Sequence, residues 1–262
     1  MAVSADHRGT HRRMLAVAAV VLVVGGGLVW LVLGTGGSGP GGPSAPGPVA
    51  LQGWKLTLPV EGDDGDAESV DPAAPTDPWL TTGPDGGLTF WAPASGATTK
   101  NSDHPRTELI STQDFTAGED GPHTLAASLA VTQVPSDTKD IIIGQIHGSD
   151  DIKSVPYVML HYRDGEIRAI VKQKQKGDEK EAFTLLTGVP LDERFDISIT
   201  DAGDGSMTIS ATHAGSTQQA TAQVPEAFRG EPVRFQVGAY QQADNPQGDD
   251  DGGRVTFYDI SQ

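Results

Sequence analysis

From Leu51 onward the chain is cut into about a dozen short runs in which apolar and polar residues alternate, separated by turn signals. Asp-Gly pairs at 85–86, 164–165 and 204–205 mark tight reversals, and loops containing proline mark the longer ones. This pattern constrains the fold more than any other feature. A period of two places alternate side chains on opposite faces of a strand, and no stretch of ten residues carries the 3.6-residue period of an amphipathic helix. Strands are expected at Trp54–Leu58, Leu88–Trp91, Arg106–Thr112, Thr124–Val134, Ile141–His147 and Tyr157–Tyr162. Six more follow at Glu166–Gln173, Ala182–Leu186, Phe195–Thr200, Ser206–Thr212, Val233–Gln242 and Arg254–Ile260. So many short strands must bury one face each. An all-β fold is expected, a jelly-roll β-sandwich of two antiparallel sheets spanning residues 50–262 as one domain.

The residues ahead of this domain differ in kind. Arg8, Arg12 and Arg13 lie in a basic N-terminus, residues 1–13, followed by twenty uncharged residues from Met14 to Leu33. That length matches the ~20 residues needed to cross the hydrocarbon as a helix. A cleavable signal usually has an apolar core of ~7–15 residues and a small-residue cleavage site, and no clear A-x-A follows here. An uncleaved membrane anchor is therefore favoured over a signal segment, with the N-terminus cytoplasmic by the positive-inside rule. Residues 34–49 form a Gly/Pro/Ser linker. In either case the domain after it is expected outside the cell, anchored to the membrane or secreted.

Composition excludes several activities. The chain has no cysteine, so disulfide scaffolds, thiolate catalysis and thiolate metal sites are ruled out. Its formal charge of −17 makes nucleic acid or an anionic lipid surface a poor partner, because a polyanion needs a basic footprint. Removing residues 1–49 leaves 15 basic and 34 acidic residues, more acidic still. The Asp clusters at 63–66, 177–181 and 248–252 lack the spacing of a calcium loop and are expected to be solvated.

Three strands carry unusual polar faces. In R-F-Q-V-G-A-Y-Q-Q, Phe235, Val237 and Ala239 form a core set, while Arg234, Gln236, Gly238, Tyr240 and Gln242 face the other way. Gln145 and His147 share a face in I-I-I-G-Q-I-H-G, and Arg106 shares one with Glu108 in H-P-R-T-E-L-I-S. Each feature alone is ordinary for a strand surface. An Arg, a Gln-x-His and a Tyr-x-Gln on three strands are more informative together.

These segments resemble the three motifs of polysaccharide lyase family 7, the alginate lyases. R-T-E-L (Arg106–Leu109), Q-I-H (Gln145–His147) and G-A-Y-Q-Q (Gly238–Gln242) follow the family's R-[ST]-E-L-R, Q-[IV]-H and Y-F-K-A-G-x-Y-x-Q, in that order. The similarity extends through Leu51–Gln262, with W-K-L-T-L-P at Trp54–Pro59 and V-T-F-Y-D-I at Val255–Ile260. The resemblance implies a jelly roll with a substrate groove across a concave sheet, and a monomer is expected. It implies β-elimination on a 4-linked uronan, with no metal or organic cofactor. Arg106 and Gln145 would offset the substrate carboxylate, which otherwise keeps the C5 proton weakly acidic. His147 would be the base and Tyr240 the acid at the leaving oxygen, or the base when the proton lies on its own side of the sugar. A phenol ionises near pH ~10 unless a cation lies close, and Arg106 would be that cation.

The groove is also expected to include Asn101, Glu108, Lys172, Lys174, Arg234, Gln236 and Gln242. Glu108 is expected to orient Arg106, and Lys172 and Lys174 to supply local positive charge that a net acidic protein needs near a polyanion. His104, His123, His161 and His213 are taken as structural or surface groups. Two departures stand out. The motif's fifth residue, Arg in the family, is Ile110, and the family's Tyr and Lys in the third motif are Arg234 and Gln236. They put the substrate in question more than the reaction. Q-I-H is associated in the family with guluronate-containing blocks. A lyase of another uronan such as glucuronan, and a non-catalytic carbohydrate-binding relative, remain alternatives. A glycoside hydrolase would need two carboxylates ~5–9.5 Å apart, and no strand carries an E-x-D-x-x-E array.

Overall fold

The computed structural model describes residues 49–262 apart from Pro75. The basic N-terminus, the apolar segment and all but the last residue of the linker lie outside the described residues. No helix among the described residues is long and apolar enough to cross a membrane.

Sixteen strands are present among the described residues. They begin with β1 (Trp54–Glu61), β2 (Ala67–Val70), β3 (Leu80–Thr82), β4 (Leu88–Pro93), β5 (Arg106–Ser111) and β6 (Phe115–Thr116). The middle of the chain forms β7 (His123–Gln133), β8 (Asp140–Gly148), β9 (Pro156–Arg163), β10 (Glu166–Lys172) and β11 (Lys180–Leu186). The remainder is β12 (Phe195–Asp201), β13 (Ser206–His213), β14 (Ser216–Gln223), β15 (Pro232–Gln241) and β16 (Gly252–Ser261). One sheet runs β11-β10-β9-β8-β15-β5-β1-β2, with β6 beside the start of β15, and the other runs β14-β13-β12-β7-β16-β4-β3. Every pairing is antiparallel, so the chain folds as the expected jelly-roll sandwich.

All twelve expected strands exist, within a few residues at each end. Four were not expected, and each lacks the signal that pattern reading needs. β2, β3 and β6 are four residues or fewer. β14 is S-T-Q-Q-A-T-A-Q, an edge strand in which only Ala222 is buried. With almost no core face it shows no alternation, and its hairpin turn at Ala214–Gly215, both at positive φ, fixes its register to β13.

Inward side chains of both sheets fill the core. Leu56, Leu109, Ile146, Leu160, Ile167 and Val237 from one sheet meet Phe90, Leu125, Leu129, Ile199, Ile209 and Phe257 from the other. Phe90 and Phe257 pack edge to face at 5.2 Å between ring centroids. That packing fixes the inward face of β5, β8 and β15, and by alternation it turns their polar residues to the opposite side.

β15 carries one irregularity that matters for the site. It stays in register with β5, Tyr240 opposite Arg106 and Gln236 opposite Ile110. Against β8, Val237 pairs with Gly144 and Tyr240 with Ile142, so Gly238 and Ala239 together oppose Ile143 alone. This bulge re-aims the strand where the phenol emerges. A Cβ at Gly238 would lie 2.5 Å from the Thr107 carbonyl oxygen and 2.7 Å from the Glu108 Cα, both backbone atoms of β5. Gly238→Ala is accordingly expected to destabilise the fold by about 1–3 kcal/mol, the range for overpacking, seen as a lower denaturant midpoint with unchanged slope.

Candidate active site

The outward faces of β5, β15 and β8, three adjacent strands, form the floor. Glu108 is fully buried, and its two oxygens face different strands. Oε2 accepts from Arg106 Nη1 at 3.1 Å, and Oε1 accepts from Gln145 Nε2 at 2.6 Å. β15 lies between β5 and β8, so Glu108 and Gln145 meet above it, where Gly238, in register with Glu108, carries no side chain. Burial pushes the Glu108 carboxyl up, while the Arg106 cation and the Gln145 amide favour its ionised form. Gln145 Nε2 also makes a long 3.4 Å contact to Gln236 Oε1. Gln145 Oε1 and Arg106 Nε are buried without partners among the described residues.

Tyr240 packs against Arg106. The guanidinium carbon lies 3.6 Å from the phenol ring centroid, a cation–π contact that puts both side chains on one face of the sheet. The Tyr240 hydroxyl is 2.8 Å from Ser102 Oγ. His147 stands on the other side of β15, opposite Arg234. Its Nδ1 lies 3.1 Å from the Gly148 carbonyl, which can only accept, so Nδ1 carries the proton and Nε2 keeps its lone pair. Burial, opposed by that carbonyl and reinforced by the Arg106 and Arg234 cations, lowers the imidazole's pKa from 6.5 to about 4. His147 is therefore a neutral base over the whole physiological range.

Arg106 and His147 open into one cleft of about 340 Å³, whose lining also includes Asn101, Ile110, Arg234 and Gln236. Of the seven residues expected in the groove, Glu108 lies beneath the floor, Arg234 and Gln236 stand on the β15 part of it, and Asn101 lines the cleft from the loop before β5. Arg234 is clamped by Asp114, with Nε to Oδ1 at 3.3 Å, and donates to Ser149 Oγ at 2.6 Å. Three expected residues stand elsewhere. Gln242 Nε2 donates to the Tyr240 and Gln241 carbonyls at 3.3 and 3.0 Å, folded back on its own strand. Lys174 is tied to Glu179 across the β10–β11 turn at 2.5 Å. Lys172 lies on the outward face of β10, two strands beyond β8, and does not line the cleft.

The free cations come from residues that pattern reading passed over. Lys100 and Lys153 line the cleft and form no ion pair among the described residues. Lys100 stands just before Asn101, and Lys153 caps the single 3-10 turn, Asp150–Ile152, that follows the Q-I-H segment. Their nearness to two motifs was the available signal. The other histidines have local partners: His104 with the Ala243 carbonyl, His123 with Asp120, His161 with Asp140 and His213 with Glu193.

A family model described as alginate lyase matches residues 49–262. No curated protein sequence matches the chain. Among solved structures, an alginate lyase from Pseudomonas aeruginosa superposes with a TM-score of 0.70 at 28% identity, covering 81% of this chain and 98% of that one. Alginate lyase A1-II′, a member of polysaccharide lyase family 7, gives 0.68 at 27% identity, over 80% and 94% of the two chains. A variant of A1-II′ in complex with the substrate GGMG gives 0.69 at 26% identity, over 80% and 92%. With the motif residues gathered on one face and the family model spanning every strand, the chain belongs to the alginate lyases of polysaccharide lyase family 7.

Proposed function

We propose that this lyase cleaves alginate, at guluronate-containing blocks, by β-elimination. The observation that carries the reading is the pairing of a neutral His147, its Nε2 free, with Arg106 in one cleft, while Tyr240 packs on Arg106 from the next strand. A uronate carboxylate against Arg106 has its charge offset where negative charge builds during proton removal. His147 Nε2 takes the C5 proton, the C4=C5 bond forms, the C4–O4 bond breaks, and Tyr240 gives its proton to O4. Gln145 assists at the carboxylate by exchanging its long contact with Gln236 for the substrate. The GGMG bound to the A1-II′ variant supports an alginate chain as ligand and guluronate as part of it. An anchor or export segment at residues 14–33 would put this domain outside the cytoplasm, where it would meet an extracellular polymer.

Assays on polyguluronate, polymannuronate and glucuronan, following the ultraviolet absorbance of unsaturated uronate, test the reading directly. Absorbance should grow fastest with guluronate-containing polymer. Fastest growth with glucuronan would instead favour the second uronan reading, for which the neutral floor at Ile110 and Gln236 is the structural motive. Reducing ends without absorbance would rule out elimination.

His147→Ala and Tyr240→Phe should each lower kcat by roughly 10²–10⁴-fold while unfolding at wild-type midpoints, since each removes one positioned acid or base. The pH profile has a definite sign. A base needed in its neutral form and with a pKa of about 4 is lost only below that pH, so the acid limb of kcat/KM should lie near 4 rather than 6.5. A bound carboxylate favours the imidazolium, so the acid limb of kcat should lie higher than that of kcat/KM. Lys153→Ala should raise KM several-fold and leave kcat nearly unchanged, because the ammonium attracts the bound substrate and the transition state alike.

A further inference from the structure

Ser102 lies in the loop between β4 and β5, four residues before Arg106, and its position is fixed from several directions. Its backbone N–H donates to the Thr99 carbonyl at 2.9 Å. Its hydroxyl donates to the His104 carbonyl at 3.0 Å, and His104 N–H donates back to Ser102 Oγ at 3.2 Å. His104 Nδ1 in turn donates to the Ala243 carbonyl at 3.1 Å, which clips this loop to the chain leaving β15. The loop and the strand that carries Tyr240 are thereby held together, and Ser102 Oγ comes 2.8 Å from the Tyr240 hydroxyl.

Counting protons decides the direction of that last contact. A serine hydroxyl has one hydrogen. With it directed at the His104 carbonyl, the short contact to Tyr240 must be made by the phenol's own hydrogen. Once Tyr240 has given that hydrogen to the leaving O4, the phenolate has none, and Ser102 is the side chain within hydrogen-bond distance that can supply one. Rotation about a single Cβ–Oγ bond moves the Ser102 hydrogen from the His104 carbonyl to the phenolate. A hydrogen bond to a charged acceptor is stronger than one to a neutral carbonyl, so the rotation is downhill when Tyr240 is ionised.

We propose that Ser102 is a positioning residue for Tyr240, holding the phenol's proton in the resting cleft and donating to the phenolate after the proton has left. The catalytic part of this rests on the reading of Tyr240 as the proton donor in elimination. The charged and titratable groups around the phenol are few. The Arg106 guanidinium lies over the ring, the His104 ring centroid is 6.4 Å away, and Glu108 is held on the far side of Arg106. On the β8 side the neighbour in register is the uncharged Ile142, and beyond it His161 and Asp140 pair with each other. Of these only His104, whose backbone is hydrogen-bonded to the Ser102 hydroxyl, loses a contact when that hydroxyl is removed, and its ring keeps its tie to the Ala243 carbonyl.

Ultraviolet difference titration of tyrosinate in the full chain tests the proposal without requiring turnover. The Tyr240 contribution is identified as the one missing from Tyr240→Phe. In Ser102→Ala it should move to higher pH by about half to one unit, the size of one lost hydrogen bond at 1.36 kcal/mol per unit. Ser102→Thr, which keeps the hydroxyl, should restore it, and Ser102→Cys, close in volume but a weak donor, should shift it as Ala does. In kinetics Ser102→Ala should lower kcat about tenfold with KM within twofold, and its alkaline limb should move with the titration. A Tyr240 transition unmoved in both Ser102→Ala and Ser102→Cys would overturn the proposal. Absence of unsaturated product from the wild-type chain would instead overturn the elimination reading, and the titration would still decide whether Ser102 serves the phenol.

Discussion

The geometry of the cleft depends on one buried carboxylate. Glu108 has no solvent exposure and lies on a sheet face that would otherwise be wet, and it is held by two hydrogen bonds in different directions. One reaches Arg106, two residues earlier on the same strand. The other passes over β15 to Gln145 on β8. Two strands that share no backbone hydrogen bonds are thus joined by side chains, and the residues that must face a substrate are fixed relative to each other. Such a network is unforgiving, because removing one partner of a buried ion pair leaves an uncompensated charge and typically costs about 3–5 kcal/mol. Glu108 touches no substrate in this arrangement. It fixes the place where the guanidinium can meet one, and through the cation–π contact it fixes Tyr240 as well.

The same network sharpens an electrostatic difficulty. A protein with a formal charge of −17 has to accept a polyanion, and its two cleft arginines are already neutralised, Arg106 by Glu108 and Arg234 by Asp114. The acidic loops repel the polymer only weakly at distance, because physiological salt screens exposed charges beyond about 8 Å. Attraction at contact falls to Lys100 and Lys153, which enter the cleft from separate loops with their charges unpaired among the described residues. In the proposed reaction the paired arginines and the free lysines have separate tasks. The first would offset charge that develops during the reaction, and the second would bind charge that is always present.

How much of this was legible in the sequence follows from which residues carry a pattern. Strands that bury one face announce themselves by alternation, as β5, β8 and β15 do. β14 buries only Ala222, with Ala220 partly packed beside it, so it shows no alternation and was not legible. Arg106, Gln145, His147 and Tyr240 were legible because alternation put them on the side away from Phe235, Val237 and Leu109. The bulge at Gly238–Ala239 was not, since it exists only relative to the register of β8. Lys172 and Lys174 were assigned to the groove from alternation along the segment that begins with β10, which gives the face but not the distance across the sheet, and the strand ends before Lys174. Lys100, Ser102 and Lys153 sit in loops, where no period operates, and tertiary contact alone brings the two lysines to the cleft and Ser102 to the Tyr240 hydroxyl.

That division of labour bears on two of the three residues that depart from the family's motifs. Ile110 and Gln236 face each other across β5 and β15, so the family's Arg and Lys would have stood side by side on this floor. A cation held at that place binds a uronate carboxylate equally in the ground and transition states unless the sugar it touches is the one reacting. Such uniform binding lowers KM without raising kcat. Arg106, by contrast, sits against the phenol that is the proposed proton donor, where charge changes during the reaction. Replacing the pair at 110 and 236 by an apolar and an amide side chain therefore removes affinity for particular carboxylates along the chain while leaving the proton-transfer groups intact. In the proposed reaction the Glu108 network holds the groups that do the chemistry and the floor beside it holds those that choose the polymer, so substrate preference can drift without touching the proton-transfer groups.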